Sequence, residues 1–327
     1  MKAIALISGG LDSLLAAKII QAQGIEILPI NFKISFCKDN QRELISLVRD
    51  NLGKELKIID ISKDFLKILK NPQYGYGKNI NPCLDCKILM LKKAKKLMLN
   101  LGANFVVTGE VLGQRPMSQN KTALELITKK SGLAGLLLRP LSAKLLSPTI
   151  PEEKGWLKRE NLLTIYGRSR KFQIALAKQL NLKNYFQPAG GCLLTDPGFS
   201  RRVKDLISHQ ELNLNNLELL KLGRHFRLSK KAKLIVGRNE KENYALIKFF
   251  KKGIYLFKPK DILGPVALGI GRFNPDLIKL ASSIVCRYSD LEDKKEVVIT
   301  YQSFLAKKIK SLKVRPFKDS KLINFRI

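Results

Sequence analysis

Two groups of residues in this sequence have the types and spacing to do chemistry. The first is Ser8-Gly9-Gly10-Leu11-Asp12-Ser13, which follows a short apolar run and leads straight into a helical pattern. Two glycines let the backbone approach a phosphate closely, and a helix start points unpaired N–H groups at an anion. The hydroxyls of Ser8 and Ser13 add donors, and the Asp12 carboxylate suits the Mg2+ that accompanies a nucleotide. The loop lacks the Gly-Lys-Ser/Thr ending of a Walker A sequence, and it is not the dinucleotide fingerprint Gly-x-Gly-x-x-Gly. The second group is three cysteines. Cys83 and Cys86 lie in Asn81-Pro82-Cys83-Leu84-Asp85-Cys86-Lys87, which reads as a helix start with Asn81 as cap and Pro82 in the first turn. The helix dipole and the neighbouring Lys87 both favour thiolate there. Cys192 ends the loop Gln187-Pro188-Ala189-Gly190-Gly191-Cys192, whose glycine freedom would let it approach the pair. Two thiols suit a sulfur relay, one carrying a persulfide and another resolving the disulfide. Three thiolates suit an iron–sulfur cluster whose fourth iron stays open. Structural zinc normally takes four protein ligands, and no convincing fourth is present, so zinc or a purely structural role ranks behind these.

The rest of the composition limits the alternatives. A length of 327 residues favours about two domains, and 45% apolar residues suffice for buried cores. No run approaches the roughly 18 apolar residues of a membrane span. The apolar N-terminus is too short for a signal peptide and has no small-residue cleavage pattern, so the chain is expected to be cytoplasmic, with no membrane partner. Lys and Arg number 60 against 27 Asp and Glu, a formal charge of +33. Such a surface attracts polyanions, although the Lys-, Asn- and Ile-rich composition also fits the drift of an AT-rich genome. His209 and His225 are the whole histidine complement, which disfavours a histidine base or a multi-histidine metal site. Five cysteines without an export signal do not make a disulfide framework. Cys37 and Cys286 stand alone and read as small buried hydrophobes.

These residues need elements to hold them. Up to about residue 150, apolar runs at 3–7, 25–30, 56–59, 105–108 and 136–138 alternate with helical patterns at 12–22, 41–51, 84–101 and 119–130. That rhythm predicts an α/β fold, a doubly wound, mostly parallel sheet with helices on both faces, and ligands beyond the carboxyl ends of its strands. A further helix is expected at 168–180. Residues 1–196 are assigned to this catalytic domain and 197–327 to a smaller, basic α+β domain with no catalytic signature, expected to bind RNA. The second domain is expected to hold helices at 201–209, 217–222, 242–249 and 275–286, and strands at 233–236, 254–257, 266–268 and 296–301. The Lys- and Arg-dense tail from 307 is expected to be poorly ordered.

The Ser-Gly-Gly-x-Asp-Ser loop resembles that of the PP-loop ATP pyrophosphatases. The resemblance implies ATP cleavage between the α- and β-phosphates, with the loop holding pyrophosphate. Val107-Thr108-Gly109-Glu110-Val111-Leu112-Gly113-Gln114, then Ser118-Gln119 and Arg139-Pro140-Leu141, come in the order and spacing of the tRNA 4-thiouridine synthases. This likeness covers about residues 1–180. It implies that Thr108, Gly109 and Gln114 lie beside the nucleotide. Two features depart from that family: Ser142-Ala143-Lys144 stands where an Asp-Lys pair is usual, and the loop begins at residue 8, so the usual N-terminal tRNA-gripping domains are not expected. The cysteine pattern is similar to that of thiouridine synthases that use a Cys-x-x-Cys, one distant Cys and a [4Fe–4S] cluster. Gly237-Arg238-Asn239 faintly resembles the RNA-binding module of ribosome-quality-control proteins. The function so implied is ATP-dependent tRNA thiolation, with tRNA as partner and sulfide or a persulfide-carrying protein as sulfur donor. A PP-loop enzyme acting on a small molecule and a noncatalytic RNA-binding protein are the rival readings.

Overall fold

Five short runs in the first part of the chain pair into one parallel sheet. They are β1 (Lys2–Leu6), β2 (Glu26–Lys33), β3 (Lys57–Asp60), β4 (Phe105–Thr108) and β5 (Leu137–Leu138), in the order β3-β2-β1-β4-β5. The computed structural model describes residues 1–34, 40–186, 192–291, 295–304, 306 and 308–327. The expectation for Cys37 lies outside these residues, as does the run of five ahead of Cys192. The chain divides into two units, Met1–Thr195 and Asp196–Ile327. No helix among the described residues is long and apolar enough to cross a membrane.

Between the strands of the first unit run α1 (Leu11–Gln21), α2 (Gln41–Leu52), α3 (Ser62–Lys70), α4 (Cys83–Asn100), α5 (Lys121–Ser131), α6 (Ile150–Glu153) and α7 (Lys171–Gln179). The two-residue period of β1 divides its side chains between two cores. Ala3 and Ala5 face a core built with Leu14 and Leu15 of α1, Leu47 and Val48 of α2, and Ala177 of α7. Ile4 faces the other, with Ile88, Leu91 and Met98 of α4 and Ile127 of α5. A central strand covered on both sides must be apolar at every position, which is why β1 and β4 read as unbroken runs. The chain enters at β1, winds outward to β3, then returns to β4 on the other side of β1. The cleft beyond the carboxyl ends of β1 and β4 is therefore the switch point of the sheet.

The second unit opens with α8 (Pro197–Ser208) and α9 (Leu214–Leu219). Its antiparallel sheet comprises β6 (Arg224–Ser229), β7 (Ala232–Val236), β8 (Ile254–Pro259), β9 (Ala267–Gly271), β10 (Val297–Ser303) and β11 (Lys310–Val314), in the order β11-β10-β8-β9-β7-β6. Three further helices are α10 (Glu240–Ile247), α11 (Pro275–Arg287) and α12 (Asp319–Leu322). The amphipathic α11 lays Ala281, Ile284, Val285 and Cys286 on Phe226, Leu234 and Phe257 of the sheet. Cys286 is fully buried, as its isolation in the sequence suggested. The tail is not loose: β11 pairs along β10, and α12 follows it.

Candidate functional site

β1 ends one residue short of the phosphate-binding candidate, and α1 begins at Leu11 with Gly10 as its N-terminal cap residue. The loop is held by its own hydroxyls. Ser13 Oγ donates to Gly10 O at 2.8 Å, and Ser8 N donates to Ser13 Oγ at 3.2 Å. Gly9 has φ +82°, and a Cβ there would lie 2.4 Å from the Phe186 ring. Phe186 N donates to Gly9 O at 2.8 Å, and the two segments form a parallel bridge at Gly10. Only glycine satisfies both the left-handed backbone and the contact.

From the neighbouring strand end, Gly109 packs directly on the first turn of α1. A Cβ on Gly109 would stand 2.5 Å from the Asp12 carbonyl carbon and oxygen and from Ser13 N. A little further along, Gln114 Nε2 donates to Asp12 Oδ2 at 3.0 Å. The other carboxylate oxygen, Asp12 Oδ1, is buried and takes no hydrogen bond. An oriented carboxylate with one buried, unclaimed oxygen beside a phosphate cradle suits a divalent cation that travels with a nucleotide. The structure thus brings Ser8, Gly9, Gly10, Asp12, Ser13, Gly109 and Gln114 to the switch point. Thr108 is there too, but its hydroxyl donates to Glu110 Oε2 at 3.1 Å.

Glu110 is the residue that sequence reasoning passed over. It is 2% exposed, accepts from Arg139 Nε at 3.0 Å, and pairs with Lys87 Nζ at 3.4 Å. Burial works to raise its pKa. The Lys87 and Arg139 charges, with hydrogen bonds from Arg139 and Thr108, override that and hold it at about 2. Arg139 is fixed in turn by Thr128 Oγ1 and the Leu124 carbonyl of α5. A buried anion therefore ties α4, β4 and the end of β5 together. Lys87 follows Cys86 directly, so this anion also anchors the first turns of the cysteine helix. Ser142, in the stretch Ser142-Ala143-Lys144, spends its hydroxyl on Leu112 N and the Ile165 carbonyl.

Cys83 and Cys86 sit in the first turn of α4, both half-buried. The cap residue is Pro82 rather than Asn81, whose carbonyl instead accepts from Gly77 N and Cys83 N. Between the thiols Asp85 is buried, taking the N–H groups of Gln73 at 3.0 Å and Tyr74 at 3.0 Å. Cys192 opens a short turn in which its carbonyl accepts from Thr195 N and Thr195 Oγ1. That turn is tied to the residues just ahead of α4: Asn79 Nδ2 donates to Thr195 O at 2.7 Å, and Ile80 N to Leu194 O at 3.4 Å. Two thiols in one helical turn and a third on a turn bonded to the same entry segment are a donor set of fitting kind for an iron–sulfur cluster. Among the described residues, no three His, Cys, Asp or Glu side chains already stand in a metal-holding arrangement.

In the second unit both histidines are structural. His225 is 1% exposed with Nε2 against the Leu222 carbonyl, and burial beside Lys233 and Arg202 drives its pKa well down. His209 Nδ1 lies 2.8 Å from the Asp205 carbonyl. Gly237-Arg238-Asn239 forms a turn in which Arg238 pairs with Glu242 and Asn239 caps α10.

Comparison with known proteins follows the same division. Residues 1–144 match the family model described as thiamine biosynthesis protein (ThiI), and residues 223–326 match the NFACT protein RNA binding domain. A probable tRNA sulfurtransferase of Thermococcus kodakarensis is 29% identical over 149 residues, 43% of this chain and 36% of the relative. The tRNA-specific 2-thiouridylase MnmA of Helicobacter hepaticus is 31% identical over 122 residues, 33% of this chain and 34% of the relative. The chain thus spans about a third of the length of these curated relatives. A solved 4-thiouridine synthetase, bound to RNA and ATP, superposes with a TM-score of 0.36 at 21% identity, covering 55% of this chain and 49% of that one. The sheet with its phosphate loop is thus similar to the ThiI family model, and the antiparallel unit that follows is similar to the NFACT RNA binding domain.

Proposed function

We propose that this chain is an AMP-forming tRNA sulfurtransferase that uses ATP to activate a base and then replaces its oxygen with sulfur. The observation that carries the reading is the pair of backbone attachments on either side of Cys192. One end, Phe186, is bonded to the phosphate loop at Gly9, and the other, at Leu194 and Thr195, is bonded to the residues that open the cysteine helix. These two attachments support a reading in which nucleotide chemistry and sulfur chemistry share one cleft.

In the proposed reaction, ATP lies over residues 8–13 with its Mg2+ on Asp12, and Gln114 keeps that carboxylate oriented. A carbonyl oxygen of the base attacks the α-phosphorus, the bond to the bridging oxygen of the β-phosphate breaks, and pyrophosphate leaves. The helix N-terminus and the loop N–H groups stabilise the departing charge. The base then carries AMP, a far better leaving group than oxide. Hydrosulfide adds at the same carbon, its proton is lost, and AMP departs with the electron pair of the C–O bond. Cys83, Cys86 and Cys192 are the residues that would hold a [4Fe–4S] cluster, and when bound such a cluster would supply an open iron for sulfide. In the alternative relay, one cysteine brings the sulfur as a persulfide and a second closes a disulfide with it as the sulfur leaves. Incubation of the full chain with unmodified tRNA, ATP, Mg2+ and sulfide, then nucleoside analysis, should give thionucleoside together with AMP and pyrophosphate. Release of ADP and phosphate would refute the reading.

A further inference from the structure

Beyond the nucleotide loop, the rim of the cleft carries an exposed run that the reaction above does not use: Tyr166-Gly167-Arg168-Ser169-Arg170-Lys171-Phe172. Its place is fixed by backbone. Leu112 and Tyr166 form a parallel bridge, and Gly167 N donates to Leu112 O at 2.8 Å. Two residues after Leu112 stands Gln114, which holds Asp12. The run is therefore fastened beside the catalytic carboxylate.

Its side chains are arranged unlike those of a solvated loop. Tyr166 is 68% exposed, yet its ring is seated against Gly113, where a Cβ would come within 2.9 Å of Cε2. Gly113 has φ +78°, so a bare backbone is what the ring rests on. Phe172 is 56% exposed in the first turn of α7, and Arg168 and Lys171 are exposed between the two rings. A ring steadied on one side and open to water on the other is a stacking platform for a planar group. Cations interleaved with such rings are the arrangement that binds single-stranded nucleic acid, the rings taking bases and the cations taking phosphates.

We infer that residues 166–172 are the platform on which an unpaired segment of RNA lies as its target base enters the cleft, with Tyr166 stacking a base and Arg168 and Lys171 holding phosphates. RNA is favoured over the adenine of ATP as occupant. Two exposed rings with cations between them in sequence offer contacts to more than one nucleotide, and the triphosphate of ATP already has a candidate cradle at residues 8–13. The inference rests on the reading of the chain as an RNA-modifying enzyme, and its test reads binding rather than turnover.

Fluorescence anisotropy of the full chain with an unmodified tRNA transcript and with single-stranded oligouridine supplies that test. Tyr166→Ala should weaken binding of both by about tenfold or more, and Tyr166→Phe should restore it, since stacking needs the ring and not the hydroxyl. Arg168→Ala and Lys171→Ala should each lower the slope of log affinity against log salt by about 1. Photo-crosslinking of 5-iodouridine RNA should label Tyr166. A Tyr166→Ala chain that binds RNA like the wild type, or that loses affinity for ATP alone while keeping RNA affinity, overturns the inference. So does failure of the Phe variant to rescue. If the wild type never thiolates RNA but these binding effects appear, the sulfurtransferase reading falls and the platform stands.

Discussion

Gly109 shows how a single residue sets the relation of two elements. Any side chain there would meet backbone atoms of Asp12 and Ser13 at 2.5 Å, with no flexible group to give way. Gly109→Ala is expected to cost about 1–3 kcal/mol in thermal unfolding and to abolish ATP cleavage; unchanged stability with full turnover would show that the strand end can retreat. Asp12→Asn should stop release of AMP and pyrophosphate while leaving the melting temperature near that of the wild type. Glu110 makes a pH prediction. Its folded pKa of about 2 lies below the ordinary glutamate value of 4.5, so the stability it contributes is complete above 4.5 and disappears as pH falls toward 2. That shift corresponds to about 3 kcal/mol, so the unfolding free energies of wild type and Glu110→Gln should differ most near neutrality and converge in acid. Lys233 has the opposite sign. Burial lowers its pKa from 10.5 to about 8, so the folded form binds fewer protons and the penalty persists at neutral pH. It is relieved as pH rises from 8 through 10.5, so Lys233→Met should stabilise the chain at pH 7 and hardly at all above pH 10, as read by urea unfolding at both.

Among the elements, legibility followed local pattern. The buried strands announced themselves as unbroken apolar runs, and α1, α2 and α4 by their periodicity. What escaped was structure whose reason lies far away in the chain. α3 is a short helix offering little beyond Phe65 and Leu69 to the core. β6 contains Arg227, whose charge is meaningful only beside Asp205 and Glu211. β11 sets Lys310 and Lys313 along a sheet edge, a device that blocks further pairing and looks like a disordered basic tail in sequence. Glu110 escaped for the same reason, since Lys87 and Arg139 reach it from other elements. At the start of α4 the expected outcome concerns the thiols. Protein purified without oxygen should contain about four irons per chain if a [4Fe–4S] cluster is present, and Ser at Cys83, Cys86 or Cys192 should remove iron and thiolation together. Cys286→Ser should remove neither, because its sulfur lies in the core of the other unit against the Val314 carbonyl. Thiolation by iron-free protein would favour the persulfide route.

For the molecule as a whole, the charge of +33 sets the energetics of any RNA complex. If six or more phosphates are neutralised, affinity for tRNA should fall roughly a thousandfold or more between 50 and 200 mM salt. A flat salt response would mean that the basic surface reflects composition alone. A stretch similar to an RNA-binding domain and one similar to ThiI lie on one chain, so the proposed reaction would combine substrate capture and activation in a single molecule.

The seating of Phe186 on Gly9 joins two binding events that need share no ligand. Whatever steadies the phosphate loop also steadies the near end of the segment leading to Cys192. ATP with Mg2+ is therefore expected to slow alkylation of Cys192. Thermodynamic reciprocity then requires that a modified or sulfur-loaded Cys192 alter ATP affinity by the same factor. The enzyme would in this way register whether sulfur is aboard before it commits a nucleotide.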